Sequence, residues 1–242
     1  MMNLLISVKN AEEALIALEA SVDMLDLKNP NVGALGALDL KTTEQILQEI
    51  QQYQALTFHQ SQPLISATVG ENHTDLDALV KEIDNRIKMG IDIIKIAATD
   101  VCRNNVLKTL SAQARQVKLV AVFFADESMD LTWLEKFKNG GFYGAMIDTQ
   151  KKQQNLFEIC SISNLQNFVQ KCQKIGLKAG IAGSLKPQHI ENLVAINPSY
   201  IGFRGGVCTD NLRNSSLMVE KIIILKKLLQ EHNKFNDLEH FS

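Results

Sequence analysis

A carboxylate and an amine two residues apart, in Asp26-Leu27-Lys28-Asn29-Pro30, stand at the end of an apolar run. Residues two apart in a β-strand share a face, so Asp26 and Lys28 project together while Leu25 and Leu27 project to the other side. A second lysine, Lys95, lies in the middle of Ile91-Asp92-Ile93-Ile94-Lys95-Ile96-Ala97. A lone ammonium is costly to bury in such surroundings, so it finds a partner or gives up its proton. Ile147-Asp148-Thr149-Gln150-Lys151-Lys152 repeats the pairing of acid and lysine at another strand end. Desolvation and neighbouring ammonium groups lower the pKa of an amine, and its neutral form attacks carbonyls to give a Schiff base. These residues point to carbonyl chemistry with Lys28 as nucleophile, Lys95 as neighbour or proton carrier, and Asp26 and Asp148 as acid–base groups. A solvent-reaching lysine at a strand end and a structural ion pair are the plainer alternatives, and the sequence leaves both open.

Two glycine clusters add a phosphate signal. One is Gly180-Ile181-Ala182-Gly183-Ser184-Leu185, with Pro187 near the start of the helix that follows; the other is Phe203-Arg204-Gly205-Gly206. Glycines let bare backbone N–H groups approach an anion, and a helix N-terminus adds a favourable dipole. Either cluster alone is equally well a tight turn. The two in this order predict a phosphate site built from Gly183, Ser184, Arg204, Gly205 and Gly206. A phosphate held there would fix a short sugar phosphate for proton transfer and carbon–carbon bond formation. Cys102, Cys160, Cys172 and Cys208 form no C-x-x-C pair, and the five histidines show no ligand spacing. The expectation is a lyase or aldolase without metal or cofactor, acting on a triose phosphate.

Strand ends converge in few architectures. Apolar runs of strand length recur at Leu4–Val8, Val22–Lys28, Leu64–Val69, Ile91–Ala97, Leu119–Phe124, Tyr143–Ile147, Leu177–Ala182 and Tyr200–Phe203, alternating with helical patterns. The runs are continuous rather than alternating, as in parallel strands covered on both faces. Thr42/Thr43, Ser128/Asp130, Ser161/Ser163 and Pro187 mark helix starts. Eight such units predict a single α/β domain, a (β/α)8 TIM barrel over residues 1–230, whose chemistry sits at the C-terminal strand ends. A doubly wound sheet would carry G-x-G-x-x-G after the first strand, where Ser7-Val8-Lys9-Asn10 stands instead. Residues 231–242 read as a frayed polar tail.

Composition bounds the partners. The 242 residues carry a net charge of −2, and 45% are hydrophobic. This balance supports neither a nucleic-acid nor an anionic-membrane partner, and no apolar run approaches the roughly 18 residues of a membrane span. The start has no basic segment before its apolar stretch, and cysteine use suits a reducing compartment. A cytoplasmic protein with a small-molecule substrate is expected; a homo-oligomer is possible but cannot be derived from the sequence.

Three segments together resemble a known family. Leu4-Leu5-Ile6-Ser7-Val8-Lys9-Asn10-Ala11-Glu12-Glu13-Ala14, the Asp26–Pro30 block with Gly33-Ala34-Leu35-Gly36-Ala37, and Met146-Ile147-Asp148-Thr149 with Lys152 look like the (5-formylfuran-3-yl)methyl phosphate synthases. Another name for them is 4-(hydroxymethyl)-2-furancarboxaldehyde-phosphate synthases. The resemblance runs on through Gly180–Leu185 and Phe203–Cys208, and the Asp-x-Lys-Asn-Pro block is its most specific part. It implies joining two molecules of glyceraldehyde 3-phosphate into a phosphorylated furan aldehyde, early on the route to methanofuran-type one-carbon carriers. It also implies Lys28 as the Schiff-base lysine, Asp26 as its partner, and Lys95, Asp148 and Lys152 as the rest of the catalytic set. Gly183, Ser184, Gly205 and Gly206 would surround phosphate. A Schiff-base aldolase for another short sugar phosphate, and a non-catalytic barrel that binds a phosphate ligand, are the rival readings.

Overall fold

Each apolar run becomes a strand backed by helix, and the eight strands close in chain order into one parallel barrel. The computed structural model describes residues 2–57, 62–103, 105–151 and 153–239. The first half comprises β1 (Asn3–Val8), α1 (Ala11–Glu19), β2 (Met24–Leu27), α2 (Leu40–Leu56), β3 (Leu64–Thr68), α3 (Leu76–Lys88) and β4 (Ile93–Ala97). Two short helices, α4 (Ala98–Val101) and α5 (Val106–Leu110), lead to β5 (Lys118–Phe124), α6 (Trp133–Asn139) and β6 (Gly144–Asp148). The chain continues through α7 (Leu156–Ile159), α8 (Ile162–Lys174), β7 (Lys178–Ile181), α9 (Ile190–Ile196), β8 (Tyr200–Phe203) and α10 (Val219–Glu239). The fold is the expected (β/α)8 barrel.

The two faces of each strand feed two cores. Leu4, Ile6, Leu25, Leu27, Ile94 and Ile96 pack outward with helix residues such as Ile46, Ile83 and Phe168. Leu5, Met24, Ile93, Val120, Val122 and Met146 form the separate inner cluster. Asp26 and Lys28 therefore share the inward face, as the alternation with Leu25 and Leu27 predicts.

Boundaries differ where local chemistry decides them. α2 is capped by Asp39, whose carboxylate accepts the Thr42 N–H at 2.8 Å, three residues ahead of the expected threonine start. α6 begins at Trp133, because Asp130 spends its carboxylate on Thr132 in the preceding turn. Ser161 caps α8 as expected, and Pro187 opens a short 3-10 turn before α9. The expected tail from residue 231 is helical up to Glu239. Nothing in that stretch is glycine or proline, so no residue stops α10, and the Asn233 amide exchanges two hydrogen bonds with the Met2 backbone. Among the described residues no helix is long and apolar enough to cross a membrane.

Candidate active site

Strand register builds the floor of the site. Asp26 on β2 lies level with Ser7 on β1 and Ser66 on β3. Its Oδ2 accepts from the Ser7 hydroxyl at 3.0 Å and its Oδ1 from Ser66 at 2.7 Å. Lys95 on β4 reaches across to the same Oδ1 at 2.9 Å. Both ends of this ion pair are 2% exposed. Burial opposes the charge on Asp26, but the Lys95 and Lys28 ammonium groups and the hydrogen bonds from Lys95 and Ser66 outweigh it, holding the carboxyl below its ordinary range. For Lys95 the balance tips the other way. Desolvation outweighs the pull of Asp26 and, helped by repulsion from Lys28, lowers its pKa. Ser7 and Ser66 were not anticipated; a hydroxyl inside an otherwise apolar strand was the available signal.

Lys28 stands one residue beyond β2, its backbone N–H still bonded to the Val8 carbonyl at 3.0 Å. It is 9% exposed, the most accessible of the four charged groups, and its Nζ is 3.5 Å from Asp148 Oδ2 at the end of β6. The other Asp148 oxygen accepts the Thr149 N–H at 2.7 Å, which fixes the carboxylate at the strand terminus. The Asp126 carboxylate holds the following turn by accepting from the Gln150 and Lys151 N–H groups. Lys152 lies outside the described residues.

The two glycine loops meet at the same end of the barrel. Gly183 has φ +120°, and a Cβ there would come within 2.9 Å of the Thr149 Cγ2. A Cβ on Gly206 would fall 2.3 Å from the Leu185 carbonyl oxygen, so only glycine lets the loop after β8 lie against the loop after β7. The N–H groups of Ser184, Gly205 and Gly206 have no acceptor among the described residues. Bare N–H groups gathered from two loops are suited to an anion.

Arg204, expected beside these glycines, has a different task. Its Nε donates to the Arg213 carbonyl, Nη1 to the Ser7 carbonyl and Glu13, and Nη2 to Glu13 and the Ser215 carbonyl. All five N–H donors of a guanidinium are thereby spent. Arg204 straps α1 and the loop after β8 to the end of β1 and has no donor left for phosphate. Its partner Glu13 is 191 residues away, beyond the reach of any local motif.

These groups surround one cavity of about 470 Å³, within the roughly 300–1,000 Å³ usual for small-molecule sites. Its walls include Ser7, Asp26, Lys28, Lys95, Asp148, Gly183, Ser184, Gly205, Gly206 and an unanticipated residue, Arg213.

The model of the 4-HFC-P synthase family matches residues 4–226 of the chain. A (5-formylfuran-3-yl)methyl phosphate synthase from Methanosarcina mazei is 32% identical over 240 residues, covering 92% of this chain and 98% of the relative. One from Methanobrevibacter smithii is 31% identical over 234 residues, covering 88% and 92% respectively. Among solved structures, 3-hexulose-6-phosphate synthase from Salmonella typhimurium superposes with a TM-score of 0.65 at 13% identity, covering 96% of this chain and all of that one. At that identity the likeness concerns the barrel alone.

Proposed function

Given that the chain belongs to the 4-HFC-P synthase family, we propose that it joins two molecules of glyceraldehyde 3-phosphate into (5-formylfuran-3-yl)methyl phosphate. One phosphate and two waters leave, which balances the atoms of two trioses against the furan. The observation that carries this reading is the placement of Lys28, a reachable amine with a carboxylate at 3.5 Å, in the cavity bordered by the open N–H groups of the glycine loops. Lys95 has a lowered pKa but is locked against Asp26 at the floor. A nucleophile must reach its carbonyl before its basicity matters, so Lys28 forms the Schiff base.

In this scheme the Lys28 amine attacks the aldehyde carbon of one triose, and Asp148 moves the protons that turn the carbinolamine into water and an iminium. The buried Asp26–Lys95 pair handles the proton at the carbon next to the carbonyl of the other triose, giving the enol that attacks the iminium carbon. The Lys28 amine is then expelled, which breaks the C–N bond and frees the enzyme. Elimination of one phosphate and ring closure with loss of the second water complete the furan, and aromatisation drives the sequence forward. Gly183, Ser184, Gly205 and Gly206 hold a phosphate through their backbone. The furan feeds methanofuran-type one-carbon carriers, and the reaction takes place in the cytoplasm.

The test is stoichiometric. The purified protein, given glyceraldehyde 3-phosphate, should yield one furan chromophore per inorganic phosphate released. A C6 sugar bisphosphate without phosphate release would indicate the aldolase reading, and an unconsumed substrate would remove both.

A further inference from the structure

A reaction between two phosphorylated trioses brings two phosphate groups into one cavity, and the glycine loops account for one. Among the described residues, the cations lining the cavity are Lys28, Lys95, Lys186, Arg204 and Arg213. Lys28 is the nucleophile, Lys95 is paired with Asp26, Arg204 has no free donor, and Lys186 is exposed. Arg213 is different. Its backbone follows β8, but Nη2 donates to the Gly33 carbonyl at 2.9 Å, which carries the guanidinium over β1 to the loop beyond β2. That is the side of the mouth where Lys28 stands, two strands round from the end of β8. This single bond uses one of five donors, and the half-buried guanidinium makes no other hydrogen bond or ion pair with a described residue. Desolvation lowers its pKa against the attraction of Asp148 and Glu71. A partly desolvated guanidinium in a substrate cavity, with four of its donors uncommitted among the described residues, is suited to an anion from outside the chain.

We infer that Arg213 binds the phosphate of the second triose, separately from the glycine loops, and so makes the cavity selective for two phosphorylated substrates. This rests on the proposed function for its substrate but on the geometry for its anion. A guanidinium grips phosphate with two parallel N–H bonds, which an ammonium only partly replaces and a neutral amide does not. With its phosphate held there, the second triose lies over Lys28 and Asp148, where the carbon–carbon bond must form.

Two variants separate binding from tethering: lysine keeps the charge and most of the reach to the Gly33 carbonyl, whereas glutamine is shorter and uncharged, so loss of the tether is read separately, as a lowered melting temperature. Arg213→Gln should raise KM for glyceraldehyde 3-phosphate at least about 10-fold, and Arg213→Lys should recover part of the loss. Calorimetric titration with inorganic phosphate should saturate at two per wild-type chain and one per Arg213→Gln chain. Borohydride should still fix the first triose on Lys28 in that variant. Wild-type KM and two phosphates in Arg213→Gln would overturn the inference and leave Arg213 a loop tether; so would equal losses in both variants with a lowered melting temperature. If wild-type protein forms no furan, the proposed function falls, while the phosphate titration still decides for or against the Arg213 site.

Discussion

Replacing Asp26 with asparagine keeps the side-chain shape and removes the charge that holds Lys95. Both residues are 2% exposed, and the pair closes at 2.9 Å. Breaking a buried ion pair from one side costs about 3–5 kcal/mol. The cost has a ceiling, because Lys95 can shed its proton instead. An unfolded lysine titrates near about 10.4, and holding one neutral at pH 7 costs about 4.6 kcal/mol at about 1.36 kcal/mol per pH unit. A loss of about 3–4.6 kcal/mol at pH 7 is therefore expected, and its pH dependence carries the diagnosis. The pKa of Lys95 is already lowered in the fold, so between its folded and unfolded values the unfolded chain binds more protons and stability rises with pH. Without Asp26 that window opens at lower pH, and the deficit against wild type shrinks as pH rises from 7 towards 10. It shrinks on the acid side too, where wild type loses the contribution of Asp26 as pH falls through that residue's lowered pKa. Urea unfolding of both proteins across this range measures the difference. Leu25→Ala, a cavity in the outer core, should cost about 2–5 kcal/mol at every pH. Asp26→Asn combined with Lys95→Met should be more stable than Asp26→Asn alone, because no stranded amine remains. A deficit constant with pH and not relieved by the second change would mean that no stranded Lys95 charge underlies the loss.

Other consequences are simpler. Gly206→Ala places a Cβ 2.3 Å from the Leu185 carbonyl oxygen and must part the two glycine loops; steady-state kinetics should show KM raised about 10-fold, in line with lost charge-assisted hydrogen bonds, and thermal unfolding should show the roughly 1–3 kcal/mol cost of overpacking. Arg86 is 1% exposed and donates to the carbonyls of Thr68, Leu38 and Glu82 besides the Glu82 carboxylate. Arg86→Met should cost about 3–5 kcal/mol in urea unfolding, because those buried carbonyls lose their donor. Burial pushes the Cys102 and Cys172 thiols up to about 12 and raises Cys160 and Cys208 as well. Ellman's reagent at pH 8 should therefore react slowly with the native protein and fast with all four thiols in urea.

The sequence showed the barrel because parallel strands covered on both faces read as unbroken apolar runs. Charges inside such runs, Asp26 and Lys95, are then conspicuous. Lys28 was legible for the same reason, since the leucines on either side of Asp26 assign the acid and the amine to the other face. What could not be read depends on contacts between distant segments. Arg204 follows β8 in a glycine loop, as a phosphate ligand would, and only its bonds to Glu13, Ser7, Arg213 and Ser215 show that its donors are spent. Arg213 lies in Asn211-Leu212-Arg213-Asn214-Ser215, a polar loop like many on any surface; its reach to Gly33 spans 180 residues. The end of α10 is polar, which reads as a frayed tail, although nothing in it breaks a helix and the helix continues to Glu239.

The proposed chemistry has Lys28, and not the more deeply buried Lys95, form the iminium. Borohydride added during turnover of glyceraldehyde 3-phosphate should fix a triose phosphate on the protein, and peptide mass mapping should locate it on Lys28. Lys28→Ala should abolish the adduct and the furan together, while Lys95→Met should lose turnover and keep the adduct. An adduct on Lys95, or full turnover by Lys28→Ala, would assign the iminium to a different group.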